Sequence, residues 1–289
     1  MIVVRTVAGL RAALRERRGG GSIGLVPTMG ALHEGHATLL RAARSGDDTV
    51  VMTIFVNPAQ FNEQSDLAAY PRTEEADLAL AEAEGVDVVF APDASEVYPD
   101  GFATTVSVSG PIAETLEGAE RGRAHFDGVA TVVTKLLLAA LPDHAYFGAK
   151  DAQQVAVIRR FVADLGIPVT LVVCPTSRDA DGLARSSRNT RLSPDERARA
   201  LAIPRALTAV TDAAAGGIRE SGALRERALD VLAAALIQLE YVAFVDPETF
   251  APVSSVDRPT LVAIAARVGA TRLIDNAVIP PVAPTPGGA

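Results

Sequence analysis

His33 and His36 stand three residues apart in "LVPTMGALHEGHATLL" (Leu25–Leu40), directly after an apolar run and a Pro-Thr-Met-Gly turn. The chain has only four histidines, and two of them fall where a strand hands over to a helix. Three chemistries compete for the pair. At i, i+3 spacing both imidazoles lie on one helical face and can ligate a metal. The other two, His125 and His144, stand beside no second cluster of ligands, so a dedicated metal site is not expected. A surface helix capped by histidine is the plainest reading. The third is a nucleotide site, because a helix N-terminus offers unsatisfied N–H groups and the positive end of the helix dipole to phosphate. Two imidazoles on that first turn add donors that respond as charge develops on an α-phosphate. Gly30 and Gly35 let a ligand approach the backbone closely.

The elements that must position these groups follow from hydrophobic periodicity. Strands are expected at Ile23–Thr28, Val50–Val56, Val86–Phe90, Ala145–Gly148 and Val169–Cys174, with β-prone text also at Thr104–Ser109. Helices are expected at Gly35–Arg44, Thr73–Glu84, Val129–Ala140 and Ala152–Leu165. Continuous apolar strands alternating with helices predict an α/β fold with a parallel sheet covered on both faces. Ligands of such sheets sit at the carboxyl ends of the strands, where "PTMG", "NPAQF", "FGAKD" and "CPTSRD" all fall.

Beyond a polar loop at 177–192 the pattern changes. Helices are expected over Pro194–Ala214 and Ser221–Gln238, then apolar runs at Tyr241–Asp246, Leu261–Val268 and Arg272–Val278, a smaller α+β arrangement. The domains are therefore placed at 1–176 and 177–289. The Pro/Gly-rich tail 280–289 is expected to be disordered.

Composition narrows the function classes. Of the 289 residues 48% are hydrophobic, and 27 Lys and Arg face 35 Asp and Glu for a net charge of −8. A chain this acidic does not coat nucleic acid, which needs a basic stripe. An anionic ligand must instead meet a local cluster of cations and N–H groups. The single cysteine, Cys174, excludes an intrachain disulfide and suits a reducing cytoplasm. The N-terminus does not read as a signal peptide, and no stretch approaches the roughly 20 apolar residues of a membrane span. A cytoplasmic enzyme without membrane partners is expected.

The His-x-Gly-His text after "PTMG" resembles the signature of the HxGH nucleotidylyltransferases and class I aminoacyl-tRNA synthetases, which hold ATP on a Rossmann-like sheet and direct attack at its α-phosphate. Six segments then occur in order: "PTMGALHEGH", "TIFVNPAQF", "DLAAYPRT", "HFDGVATVVTKL", "FGAKDAQQ" and "DGLARSSRNTRL". Together they resemble the pantothenate synthetase (pantoate–β-alanine ligase) family, from about Thr6 to Asn276. The resemblance implies condensation of (R)-pantoate with β-alanine to pantothenate, AMP and pyrophosphate through a pantoyl adenylate. It further implies ATP with Mg²⁺, and a homodimer.

By the same resemblance Met29, Gly30, Ala31, Leu32, His33, Glu34, Gly35 and His36 line the ATP site, with His36 as the proton-donating histidine and His33 its phosphate-binding companion. Gly148, Ala149, Lys150 and Asp151 match a second ATP segment. Gln60 matches a residue that contacts pantoate near the β-alanine site, and Gln154 a pantoate-binding glutamine. Ser177 and Arg185, Ser186, Ser187 and Arg188 match a loop that closes on the phosphates. The chemistry of these residues agrees with those roles. Lys150 at a strand–helix turn can reach a phosphate oxygen, although a solvated lysine is the commoner fate. Arg188 offers a planar fork and the serines compact donors. Glutamine amides orient a hydroxy acid without adding charge.

Two departures stay open. One extra residue before His125 leaves either Arg121 or Arg123 in the place of the family's arginine. Arg185 replaces the usual methionine, and either stacks on a purine or binds phosphate, or swings into solvent. The rivals are another nucleotidylyltransferase, which would share the histidines but not "NPAQF" with "FGAKDAQQ", and a non-catalytic nucleotide-binding protein, which would be expected to lose His36 or Lys150.

Overall fold

The computed structural model describes residues 1–61 and 64–281, and the tail expected to be disordered lies almost wholly outside them. The chain divides into two compact units, residues 1–149 with 153–177, and residues 150–152 with 178 onward.

The first unit is built on six parallel strands: β1 (Ile2–Val4), β2 (Ile23–Val26), β3 (Thr49–Thr53), β4 (Val88–Phe90), β5 (His144–Gly148) and β6 (Thr170–Cys174). Their order is β1-β4-β3-β2-β5-β6. The inner succession β4-β3-β2-β5-β6 is the Rossmann-like order, with its reversal at β2 and β5 and β1 added outside β4. Side chains alternate across the sheet. Val26, Val50, Met52, Val89 and Tyr146 pack with Leu39, Leu40 and Ala43 of helix Glu34–Gly46 and Ala81 of helix Glu74–Ala83. Leu25, Val51 and Val88, one residue out of phase, are fully buried on the other face. Helices Val7–Arg15 and Arg123–Ala140 lie together, with Arg11 Nη2 donating to Leu138 O at 3.2 Å.

Two readings change here. Thr104–Ser109 is not a strand: its alternation is used against helix Arg123–Ala140, with Val106 N–H donating to Thr131 Oγ1 at 3.0 Å and Ser107 Oγ to Asp127 Oδ1 at 2.7 Å. β1 was not expected, because a three-residue edge strand with mostly exposed side chains carries no periodic signal.

The second unit has the antiparallel sheet β7 (Gln238–Val245), β8 (Thr260–Val268) and β9 (Thr271–Ile279), in that order. Ile203, Leu207 and Val210 of helix Ala202–Ala215 and Leu224 of helix Ser221–Ala233 share a core with Val242, Val262, Ile264 and Leu273. The single helix expected over Pro194–Ala214 is two, Pro194–Ala200 and Ala202–Ala215. Pro204 explains the break: it has no N–H for the Ala200 carbonyl, and its ring would clash there.

Asp87, just before β4, knits the first sheet. Its backbone exchanges hydrogen bonds with Ile2 and Val50, and its carboxylate accepts from Val50 N–H at 2.9 Å and Arg44 Nη1 at 2.8 Å. Burial opposes its charge, but the Val50 N–H, Arg44 and Arg17 outweigh it and hold the carboxyl below the usual range. A depressed folded pKa stabilises above the unfolded value of about 3.9 and is lost as pH falls through the folded one. Asp87→Asn is therefore expected to cost about 1–2 kcal/mol at neutral pH. In urea melts the gap to the parent should narrow below about pH 4.

Candidate active site

The carboxyl end of β2 runs into Pro27–Leu32, a segment folded back on itself by side chains. Thr28 Oγ1 donates to Thr53 O at 2.5 Å and accepts Gly30 N–H at 3.2 Å. Gly30 has φ 78°, and a Cβ there would lie 2.9 Å from Asp77 Oδ2, so only glycine suits the position. Ala31 also has positive φ, 51°, which costs a residue with a side chain about 1 kcal/mol. Asp77 holds it there. Its carboxylate, 2% exposed, accepts Ala31 N–H at 2.9 Å and Leu32 N–H at 2.7 Å, and Thr73 Oγ1 donates to it at 3.2 Å.

That strap delivers the chain to the N-terminus of helix Glu34–Gly46. His33 is the N-cap, with Nδ1 accepting Gly35 N–H at 3.1 Å, while His36 Nδ1 accepts His33 N–H at 3.2 Å. The ring centroids are 4.2 Å apart. The capping role is thus real, and it does not exclude the chemical one. While Nδ1 accepts an N–H it carries no proton, so each neutral ring has its proton on Nε2, a donor beside the positive helix end. Glu34 receives Arg41 Nη1 at 2.5 Å on the exposed side of the helix.

Gln60 is set by a buried amide. Asn57, 1% exposed, donates to Gln60 Oε1 and to Gly128 O, each at 3.1 Å, and accepts Tyr98 Oη–H at 2.7 Å. Burial pushes the Tyr98 phenol up to about 12 despite the opposing Asn57 bond, so it remains a donor. Gln60 Nε2 lies 2.9 Å from Met29 Sδ, and His125 Nδ1 lies 2.9 Å from Gln60 O. A Cβ on Gly128 would come within 2.3 Å of Ala59 O, so helix Arg123–Ala140 can pass this loop only at a glycine.

On helix Ala152–Asp164, the buried Gln153 accepts Glu117 N–H at 3.0 Å and donates to Thr115 O at 2.8 Å. Its neighbour Gln154 is half-buried, with no side-chain hydrogen bond among the described residues, and the same holds for Ser177. Arg121 Nε donates to the buried Glu117 at 3.2 Å. Arg123 is more exposed and reaches Ser107 and Ser109.

In the second unit Lys150, Ser186 and Arg188 line one shallow, open depression, with Arg272 and Asp275 also in its wall. Lys150 Nζ stands 3.8 Å from Asp151 Oδ1. The polar loop is folded. Arg178 and Ala184 bridge, Asp179 N–H donates to Leu183 O at 2.8 Å, and Ser186 Oγ caps the 3₁₀ turn Ser187–Arg191 by accepting Arg188 N–H at 3.3 Å. Burial would raise the Asp181 carboxyl, but the Leu183 N–H and Arg197 hold it below the ordinary range. Arg185 is held within the loop itself: its Nε sits 3.1 Å from Asp179 Oδ1 and donates to Arg178 O at 3.1 Å.

Among the described residues no three His, Cys, Asp or Glu side chains gather to hold a metal ion, and no helix is long and apolar enough to cross a membrane. Glu74, one of an acidic pair that opens helix Glu74–Ala83, is paired with Arg5.

The sequence model of the family described as pantoate-β-alanine ligase matches residues 2–278. The chain belongs to that family. It is 52% identical to the pantothenate synthetase of Roseiflexus sp. (strain RS-1), over 96% of this chain and 99% of that protein. It is 53% identical to that of Cereibacter sphaeroides (strain ATCC 17029 / ATH 2.4.9), over 95% and 98%. The crystal structure of pantothenate synthetase from Thermus thermophilus matches with TM-score 0.91 at 47% identity, covering 97% of this chain and 100% of that one. The pantoate-β-alanine ligase from Francisella tularensis, complexed with β,γ ATP and β-alanine, matches with TM-score 0.79 at 33% identity, over 96% and 97%.

Within this member of the pantoate-β-alanine ligase family, sequence reasoning passed over Asp77, Tyr98 and Gln153. Asp77 had a signal: it lies four residues before the buried Ala81, on the inward face of a helix otherwise opened by exposed acids. Asp77→Asn keeps the shape but turns an amide donor toward an N–H that needs an acceptor. It should cost about 2–3 kcal/mol, whereas Glu74→Gln should cost under about 1 kcal/mol. Equal losses for the two in urea melts would show that the strap contributes nothing.

Proposed function

We propose that this chain condenses pantoate with β-alanine at the expense of ATP, in two steps through an enzyme-bound pantoyl adenylate. A pantoate carboxylate oxygen attacks the α-phosphorus, the bond to the bridging oxygen breaks and pyrophosphate leaves. The β-alanine amine then attacks the acyl carbon, the bond to AMP breaks, and the nitrogen loses its proton to give the amide. Family membership over residues 2–278 supports the overall reaction. The observation that carries the mechanism is the pair of histidines whose Nδ1 atoms are both taken by backbone N–H groups at one helix N-terminus.

In this reading the Nε2–H groups of His33 and His36 and the amides of the helix start meet negative charge as it builds on the α-phosphate. Met29–Leu32 hold the nucleotide beside them. Gln60, fixed by Asn57, orients pantoate and lies close to where β-alanine binds, with Gln154 as the second pantoate amide. Lys150, Ser186, Ser187 and Arg188 take phosphate oxygens; Gly148, Ala149, Asp151, Ser177 and Arg185 belong to the same nucleotide-binding stretches. Arg121, paired with the buried Glu117, takes the role of the family's arginine in this reading. No protein nucleophile carries the acyl group, so positioning and charge stabilisation supply the rate. Mg²⁺ bound with the triphosphate would neutralise part of its charge, leaving Lys150 and Arg188 to meet the remaining phosphate oxygens. A cytoplasmic homodimer completes the reading.

With pantoate labelled in its carboxylate by ¹⁸O, one labelled oxygen should pass into AMP during turnover. Unlabelled AMP would eliminate the acyl-adenylate route. Pyrophosphate without β-alanine should not exceed one equivalent per active site.

A further inference from the structure

Lys150 belongs by its contacts to the second unit, where a side chain of β9 holds its backbone. Asn276 Nδ2, on β9, donates to the Lys150 carbonyl at 2.8 Å. The residue before it fixes the strand at this point. Asp275, 3% exposed, accepts Arg178 Nη1 at 2.7 Å and Arg178 Nη2 at 3.0 Å, and its Oδ1 also accepts the Asn276 N–H at 2.8 Å. Asp275 and Asn276 pair across the sheet with Ile264 and Ala263 of the fully paired central strand β8, so neither can shift without breaking the ladder. Arg178 opens the segment that leads to Ser186 and Arg188, and its Nη1 also donates to Gly182 O at 3.1 Å. Two adjacent residues of one strand therefore hold the backbone of Lys150 and the root of the loop whose residues share its depression.

A lysine ammonium is a point charge on a four-carbon stem, and its reach is set by where its backbone is held. We propose that Asn276 is a positioning residue for adenylation, acting on ATP only through Lys150 by fixing that residue's carbonyl. The inference rests on the reading of Lys150 as a phosphate ligand. Removing the amide leaves the ammonium in place chemically but lets its root drift, and displacement of about 1 Å at a catalytic group costs up to about 10²-fold.

The test is a double-mutant cycle on the full-length protein, read as pyrophosphate formation during turnover with ATP, pantoate and β-alanine. Asn276→Ala alone should lower kcat/KM for ATP about tenfold and leave the KM for β-alanine unchanged. In a Lys150→Ala background the same change should cost less than about twofold, because the group it positions is gone. Leu207→Ala, in the core of the same unit, should be additive with Lys150→Ala and serves as the control for general loosening. If Asn276→Ala does not fold, Asn276→Ser, which keeps a donor at shorter reach, takes its place in the cycle. Full cost in both backgrounds, or no cost in either, overturns the positioning role. Near-normal adenylation by Lys150→Ala overturns instead the phosphate-ligand reading beneath it.

Discussion

One buried carboxylate sets the geometry on which the first unit's chemistry depends. Asp77 is out of water with no cation beside it in the hydrogen-bonding set, and its charge is met by two backbone N–H groups and a hydroxyl. Burying an ion is costly unless such bonds replace its water, and here they are made to the residues that must adopt an unfavourable backbone. Gly30 and Ala31 at positive φ turn the chain sharply off β2. Without that turn the helix at Glu34 would not begin where His33 caps it. Thus the helix Glu74–Ala83, far along the chain, decides where His33 and His36 stand.

The acidic composition is consistent with this economy. A chain with a net charge of −8 does not attract a nucleotide by its overall field. In the proposed reading donors are concentrated locally instead, in two ways. The first unit uses neutral donors, helix amides and imidazoles held as Nε2–H tautomers. The second has Lys150 and Arg188 on one depression that Leu183 and Ile203 also line.

The fold was legible wherever burial imposed a period. The four inner strands β2 to β5 lie within a few residues of the apolar runs, because a strand covered on both faces must be apolar throughout. What failed to show was what burial does not pattern. β1 is an exposed edge, Thr104–Ser109 alternates for a helix rather than a partner strand, and the apolar period runs unbroken across the Pro204 break. For the site, motifs marked the residues that would touch ligands, from His33 to Arg188. Residues that act on those residues carried no motif: Asp77, Tyr98 and Asn276 are reached only through hydrogen bonds between segments distant in sequence.

The account turns on the histidines being donors, with each Nδ1 committed to the backbone. ¹⁵N NMR of the full-length protein with labelled histidine, assigned through His33→Gln and His36→Gln, reads the tautomer of each ring. At neutral pH both His33 and His36 should show an unprotonated Nδ1 and a protonated Nε2. A protonated Nδ1 on either neutral ring would contradict the capping geometry and remove that donor from the mechanism.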